Sequence, residues 1–251
     1  MSDRLLQFAR FLKKRSENDW DNAILIDGQE RTGKSTLGAW LKAGYDGELN
    51  LNHVVYDGQD LMAELDTAPD GSCIWVDEGK DSANRRRWYS DMNIALGEAL
   101  AIIGAKNFML IVNIPRSREL DQHIQDRFHY RFYTYSPNKF ERGYCDCYEY
   151  MDAAFAKKNR WQRHLFHYRF PQLPEWFENE YKRFKRENLD KKVSEYRETA
   201  KGKTKVKRKK LREIAMDMLE SNPDMKATDL AKEAGISLTY AQQIQRTYKQ
   251  T

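Results

Sequence analysis

The stretch that most constrains this chain is Ala23-Ile-Leu-Ile-Asp-Gly-Gln-Glu-Arg-Thr-Gly-Lys-Ser-Thr-Leu37. Ala23 to Ile26 is a short apolar run that reads as a buried strand. Gly28, Gly33, Lys34 and Ser35 then satisfy the phosphate-loop spacing G-x-x-x-x-G-K-[ST]. Two glycines let the main chain curl so that successive N–H groups face inward, toward phosphate oxygens. The expected cup runs through Gly28, Gln29, Glu30, Arg31, Thr32, Gly33, Lys34, Ser35 and Thr36. Lys34 would reach the β- and γ-phosphates, and the Ser35 hydroxyl would contribute to the shell of a Mg²⁺ ion. Thr36 to Ala43 continues as helix, whose positive end also faces the anion. Nucleotide binding, with ATP and Mg²⁺ as ligands, is therefore the first expectation.

A phosphate-binding loop hydrolyses nothing alone, and the sequence offers the rest of a site on later strands. His53 to Tyr56 reads as a second strand, and Asp57-Gly58 leads into a helix near Leu61 to Leu65. After a turn at Pro69 to Ser72, Cys73-Ile-Trp-Val76 is a third apolar run that ends in Asp77-Glu78. Asp77 is expected to hold the metal ion and Glu78 to polarise the attacking water. Both roles require this strand and the loop strand to end on the same edge of a parallel sheet. Met92 to Gly104 reads as helix, and Phe108 to Val112 as a fourth strand with Asn113 at its carboxyl end. A polar side chain there can hydrogen-bond the γ-phosphate or the water. Arg85, Arg86, Arg87, Arg116, Arg118 and Arg127 cluster in sequence around these motifs. A lid, a DNA contact, a finger acting on a neighbouring subunit and a plain solvated loop are all open for them.

The flanks differ in character. Residues 3–17 form an amphipathic helix pattern, with Leu5, Leu6, Phe8, Ala9 and Leu12 along one stripe expected to pack on the sheet. Phe128 to Tyr150 alternates with period two about Ser136-Pro-Asn138, a hairpin signature rich in Tyr and Phe. Its aromatics could stack on bases, but cross-strand pairing within the sheet is the stronger reading. Cys145 and Cys147 with His164 and His167 raise a metal site as an alternative to ordinary core and surface residues. Three cysteines make no disulfide framework, no apolar run reaches membrane-span length, and the first residues lack a signal-peptide core. A cytoplasmic protein without membrane contact is expected.

Leu173 to Tyr196 is a charged helical stretch with Trp176, Phe177, Tyr181 and Phe184 as its apolar stripe. Charge then becomes one-sided. Twelve Lys+Arg and six Asp+Glu lie between Lys201 and Thr251, against 43 and 38 in the whole chain of 251 residues, so the net +5 belongs to the tail. Lys201 to Lys210 reads as a basic linker. Beyond it, Ala231, Gly235, Ala241 and Ile244 fall where a helix-turn-helix needs a small residue, a left-handed turn residue and two core contacts. Ser237, Thr239, Tyr240, Gln242, Gln243 and Arg246 would then face a DNA groove, with the linker lysines on phosphates. A three-helix protein-docking module is the alternative. The expected organisation is an N-terminal helix (1–20), an α/β core (21–150), a helical extension (151–200), the basic linker (201–210) and a helix-turn-helix domain (211–251).

In the loop Gly28 to Ser35 and the strand Cys73 to Glu78, the chain resembles the additional-strand, catalytic-glutamate class of phosphate-loop ATPases. With Asn113, the Ile-Pro-Arg-Ser-Arg-Glu-Leu-Asp-Gln-His-Ile-Gln-Asp-Arg segment and the aromatic hairpin, it is similar to ATPases of viruses and mobile elements, including the zonula-occludens-toxin-like and HerA/FtsK-like groups. The resemblance covers about residues 20–185. It implies a P-loop NTPase fold, a RecA-like three-layer α/β/α arrangement with a mainly parallel sheet, and ATP as substrate. It also implies assembly of identical chains into a ring such as a hexamer, water activation by Glu78, and an arginine acting across the subunit interface; a viral protein would work in the host cytoplasm. Two departures stand out: Asn113 replaces the Gln common in translocating relatives, and no single arginine is selected by motif. The helix-turn-helix lies outside the resemblance.

A DNA-associated ATPase, with Lys34, Glu78 and Asn113 as its catalytic set, is the leading functional expectation. A nucleotide or small-molecule kinase, with Arg85 to Arg87 on the acceptor phosphate, is an alternative that leaves the basic tail without a purpose. A DNA-binding regulator switched by nucleotide is another.

Overall fold

The computed structural model describes residues 3–77, 85–138, 140–151 and 161–248, with the side chains of 3, 85–89, 151, 161, 189 and 191–210 excepted. Glu78 and the segment through Asn84 lie outside the described residues. The described residues fall into two compact units, residues 1–186 and 187–251.

The first unit is built on seven strands: β1 (Asn22–Gly28), β2 (Val54–Val55), β3 (Cys73–Val76), β4 (Met109–Asn113), β5 (Tyr130–Tyr135), β6 (Tyr144–Met151) and β7 (Trp161–Arg169). Their order across the sheet is β2-β3-β4-β1-β5-β6-β7. The first five are parallel, and β6 and β7 extend the sheet antiparallel. Strands β1, β3 and β4 are buried along their whole length, which is why they read as unbroken apolar runs rather than alternating ones.

Alternate residues of β1 serve two different cores. Ile24 and Ile26 pack with Leu5, Phe8 and Leu12 of α1 (Asp3–Ser16) and with Leu37 and Leu41 of α2 (Lys34–Asp46). Ala23 and Leu25 pack on the other face, with Leu61 and Leu65 of α3 (Gly58–Thr67) and Leu96 and Leu100 of α4 (Arg85–Ile102). Two helical layers thus sandwich the sheet, an α/β/α architecture. The short helix α5 (Gln122–Gln125) closes the crossover to β5 and places Ile124 in the second core.

The N-terminal helix packs on the sheet as its stripe indicates. The Phe8 ring meets Tyr130, Phe132 and Phe166 edge-on, with centroids 5.0, 5.5 and 5.7 Å away. The aromatic hairpin also forms as read, with Phe132 opposite Cys147 and Tyr135 opposite Tyr144. What sequence patterning missed is β7, which lies within the stretch expected to be a helical extension. A bulge between Cys147 and Tyr148 leaves Leu165 without an opposite residue, so Leu165 and Phe166 are both partly buried and the period-two signal breaks.

The same sheet answers the metal alternative at Cys145 and Cys147. Both thiols are buried in the core beneath α1, where burial pushes their pKa values up. His164 and His167 lie on the opposite, exposed face, 3.4 and 3.1 Å from Asp146 Oδ1. The four residues therefore share no site.

Helix α6 (Glu175–Ser221) runs further than expected and has helical backbone through residues 201–210, the stretch read as a linker. In its first turns Phe177 and Tyr181 are buried, whereas Trp176 is 59% exposed and leaves the apolar stripe. The second unit packs Ala215 and Leu219 of α6 against Leu230 of α7 (Ala227–Glu233) and Ala241 and Ile244 of α8 (Leu238–Tyr248). Gly235 takes a positive φ of 63° in the α7–α8 turn. Among the described residues no helix is long and apolar enough to cross a membrane.

Candidate functional site

The segment Gln29 to Gly33 leaves β1 at the carboxyl edge of the sheet and turns directly into α2. Gly28 sits at φ 143°, where a Cβ would stand 2.1 Å from the Thr134 carbonyl oxygen. Gly33, at φ 106°, starts the helix from the left-handed region. Both are conformations in which an L side chain is strained, so the loop needs glycine at these two positions for geometric reasons.

Two polar anchors hold the loop from below. Thr32 is buried, and its Oγ1 lies 2.7 Å from the Gln29 carbonyl and 2.7 Å from Thr134 Oγ1 on β5. Asp27, one residue before the loop, accepts a bidentate pair from Arg131, with both contacts at 2.8 Å, and a further bond from Ser117 N at 3.2 Å. Gln29, Glu30 and Arg31 at the rim are exposed, while Ser35 and Thr36 are half-buried. The Lys34 side chain folds back over the loop, and its ammonium donates to the carbonyls of Gly28 at 2.9 Å and Gln29 at 3.0 Å.

The expected acid meets this loop. Strand β3 ends beside β4 on the same edge, and Asp77 is 1% exposed. Its Oδ1 accepts from Ser35 Oγ at 2.9 Å and from Asn113 Nδ2 at 2.8 Å. Three residues singled out on three separate segments therefore converge on one carboxylate oxygen. Asn113 Oδ1 is buried without a hydrogen-bond partner among the described residues. A fully buried acceptor left this way is expensive unless something else donates to it.

The other carboxylate oxygen has partners that sequence reasoning did not assign. Tyr181 OH on α6 donates to Asp77 Oδ2, and Lys185 Nζ donates to it at 2.6 Å. Tyr181 also stacks on Trp75 of β3, with centroids 5.7 Å apart and planes 13° from parallel. The signal available in the sequence was the i, i+4 spacing, which puts Lys185 on the same helix face as Tyr181.

Burial opposes the charge on Asp77, but the Lys185 ammonium and the hydrogen bonds from Lys185, Tyr181 and Asn113 outweigh it and hold the carboxyl below its usual 3.8. Burial, together with the Asp77 charge, keeps the Tyr181 phenol well above 10. Because the folded pKa of Asp77 is the lower one, its stabilising contribution is complete above about pH 3.8 and is lost as pH falls from there through the folded value. Urea unfolding from pH 6 to 2 is expected to show this decline, with a slope no steeper than the about 1.4 kcal/mol per pH unit that one proton allows. In Asp77→Asn that component of the slope disappears.

Arg116, Arg118 and Arg127 are exposed, and Arg127 Nη1 donates to the Gly97 carbonyl at 3.2 Å. Arg85, Arg86 and Arg87 begin α4, but their side chains, like Glu78, lie outside the described residues. Ser237, just before α8, and Thr239, Gln242, Gln243 and Arg246 on it are exposed, and Tyr240 is half-buried.

No family model matches the chain, and no curated protein matches it. Among solved structures it is similar to a DNA polymerase III gamma subunit-related protein from Thermotoga maritima. That match has 16% identity and a TM-score of 0.39 over 53% of this chain, and it spans only about half (47%) of the other.

Proposed function

We propose that the first unit binds ATP and Mg²⁺ and hydrolyses the nucleotide, and that the C-terminal unit docks the protein on DNA. The observation that carries the reading is the 2.9 Å contact of Ser35 Oγ with Asp77 Oδ1. A hydroxyl immediately behind a glycine-bounded loop and a buried carboxylate at the end of another strand are what a nucleotide-hydrolysing site needs side by side. The strand order supports it as well, since β4 is inserted between the loop strand and the acid strand, as in the additional-strand class that the motifs resemble.

In this reading the main chain of Gly28 to Ser35 cradles the phosphates, and Lys34 rotates from the carbonyls of Gly28 and Gln29 onto the β- and γ-oxygens. The donors present suit a hard cation, because Ser35 and Asp77 offer only oxygen. Ser35 and Asp77 would hold the ion, which would supply positive charge against the negative charge that develops on the phosphates. Glu78 takes the proton of the attacking water, and Asn113 Oδ1 accepts a hydrogen bond that orients it. Asn113 Nδ2, already on Asp77, fixes that amide's direction. One of Arg85, Arg86, Arg87, Arg116, Arg118 and Arg127 serves a neighbouring copy of the chain in an oligomeric ring.

For the second unit, a helix-turn-helix is supported by the α7–α8 turn at Gly235 and by the exposed polar face of α8. The cations of residues 201–210 would sit on DNA phosphates. A cytoplasmic setting, with no membrane contact, follows from this partner.

The test is phosphate release from ATP by the full chain, with and without single- and double-stranded DNA. Hydrolysis stimulated by DNA, and reduced by about a hundredfold or more in Glu78→Gln, is expected. Transfer of phosphate to an organic acceptor instead of water would turn the reading into a kinase. Unstimulated ATP binding without turnover, with DNA binding that follows nucleotide state, would turn it into a switched regulator.

A further inference from the structure

Asp77 is over-subscribed for a residue that is to serve a metal ion. A carboxylate offers about four lone-pair sites, and here four donors fill them: Ser35, Asn113, Tyr181 and Lys185. Ser35 and Asn113 come from the loop and from β4, and both have a part in the proposed site. The other two come from a single helix turn of α6, which the proposed chemistry does not use. Lys185 brings a full positive charge to 2.6 Å from Oδ2.

That charge is held by more than the carboxylate. The ammonium lies 5.5 Å from the Tyr181 ring centroid and 5.7 Å from that of Tyr56, so two aromatic faces share it. Tyr181 is buried at 8% exposure and fixed by its stack on Trp75, whereas the Lys185 side chain keeps 27% exposure. The lysine therefore has a route to solvent along its flexible stem, which the tyrosine lacks. A divalent cation near Asp77 would repel the ammonium strongly in this dry setting, because two like charges cannot both be compensated by one buried carboxylate.

We propose that Lys185, supported by Tyr181, is a built-in rival of the metal ion: it latches the start of α6 onto Asp77 and has to leave before a magnesium–nucleotide complex can settle. This rests on the nucleotide-binding reading and adds a regulation to it. Loading of the site is then coupled to release of α6, so occupancy is reported on a helix that contributes nothing to the phosphate cup. The carboxylate stays neutralised in both conditions, first by an ammonium and then by the metal, which avoids leaving a buried charge unpaired.

The experiment is equilibrium binding of a fluorescent ATP analogue to the full chain, titrated with Mg²⁺, for the wild type, Lys185→Met, Lys185→Arg and Tyr181→Phe. Lys185→Met is expected to reach half-saturation at about tenfold lower Mg²⁺, equivalent to about 1.4 kcal/mol. Lys185→Arg retains the rival charge and stays near wild type, and Tyr181→Phe shifts in the same direction as Lys185→Met by a smaller factor. Hydrogen exchange gives a second readout, in which residues 175–186 lose protection on adding Mg²⁺ with the analogue but not on adding the analogue with chelator. An unchanged or raised Mg²⁺ requirement in Lys185→Met, with wild type binding normally, overturns the latch and leaves nucleotide binding standing. If Lys185→Met does not fold, Tyr181→Phe decides, and an unchanged Mg²⁺ requirement in it overturns the latch. Failure of wild type and all three variants to bind the analogue at any Mg²⁺ concentration overturns the nucleotide reading and the latch together.

Discussion

Gly28→Ala is expected to leave no stable first unit. The backbone at Gly28 lies at φ 143°, and an added Cβ would stand 2.1 Å from the carbonyl oxygen and 2.4 Å from Oγ1 of Thr134. The hydroxyl could rotate away, but the carbonyl belongs to β5 directly opposite Gly28 in the parallel pairing and cannot move without opening the β1–β5 ladder. On the other side, Gly28 N is tied to the Pro115 carbonyl at 3.3 Å. Strain of this kind exceeds about 4 kcal/mol, a large part of the roughly 5–15 kcal/mol that holds an ordinary domain together. Urea unfolding followed by circular dichroism measures it. Gly97→Ala is the control, since a Cβ there meets nothing within 4 Å. It lies inside α4, where alanine is expected to be neutral or stabilising by up to about 1 kcal/mol. Equal stability of the two variants would contradict the loop geometry.

The largest functional effect is expected from Lys34→Ala. The ammonium folds back over the loop, at 2.9 and 3.0 Å from the carbonyls of Gly28 and Gln29. Removing it takes away the point charge aimed at the β- and γ-phosphates while the two glycines, Thr32 and Ser35 remain. Nucleotide affinity and turnover should each fall by about a hundredfold or more. The cost to folding is smaller, about 1–3 kcal/mol, the range for leaving a buried polar group without its partner. A variant that remains folded but loses ATP identifies a binding role. One that unfolds outright identifies a structural one. Comparison of the unfolding curve with the binding isotherm separates them.

Much of the sheet was legible because buried parallel strands leave a plain trace. Ala23 to Ile26, Cys73 to Val76 and Phe108 to Val112 are apolar runs bounded by turn residues or by a proline, and each is a strand or nearly so. The meeting of Ser35, Asp77 and Asn113 was legible for a related reason. Parallel strands joined by crossovers end on one edge, so motifs at strand ends are brought together by topology rather than by sequence proximity. Strand β7 was hidden by its bulge, which puts the adjacent residues Leu165 and Phe166 both against the core. The length of α6 was hidden by charge. Lysine and arginine are good helix formers, so the repulsion in residues 201–210 that suggests a linker does not exclude helical backbone. Trp176 illustrates the limit of counting apolar residues, since it flanks a buried Phe177 yet points away from the core. Lys185 was overlooked because a lysine on a highly charged helix ordinarily marks a solvated face. Only its placement four residues after Tyr181 shows otherwise.

The central claim is that the cup beginning at Gly28 grips a triphosphate beside Asp77. Isothermal titration of the full chain with ATP in Mg²⁺ tests it most directly, with Lys34→Ala measured alongside. Saturable uptake of one ATP per chain, weakened at least about a hundredfold in the variant, is the predicted result. No uptake of ATP by the wild-type protein, or uptake that Lys34→Ala leaves unchanged, would contradict it.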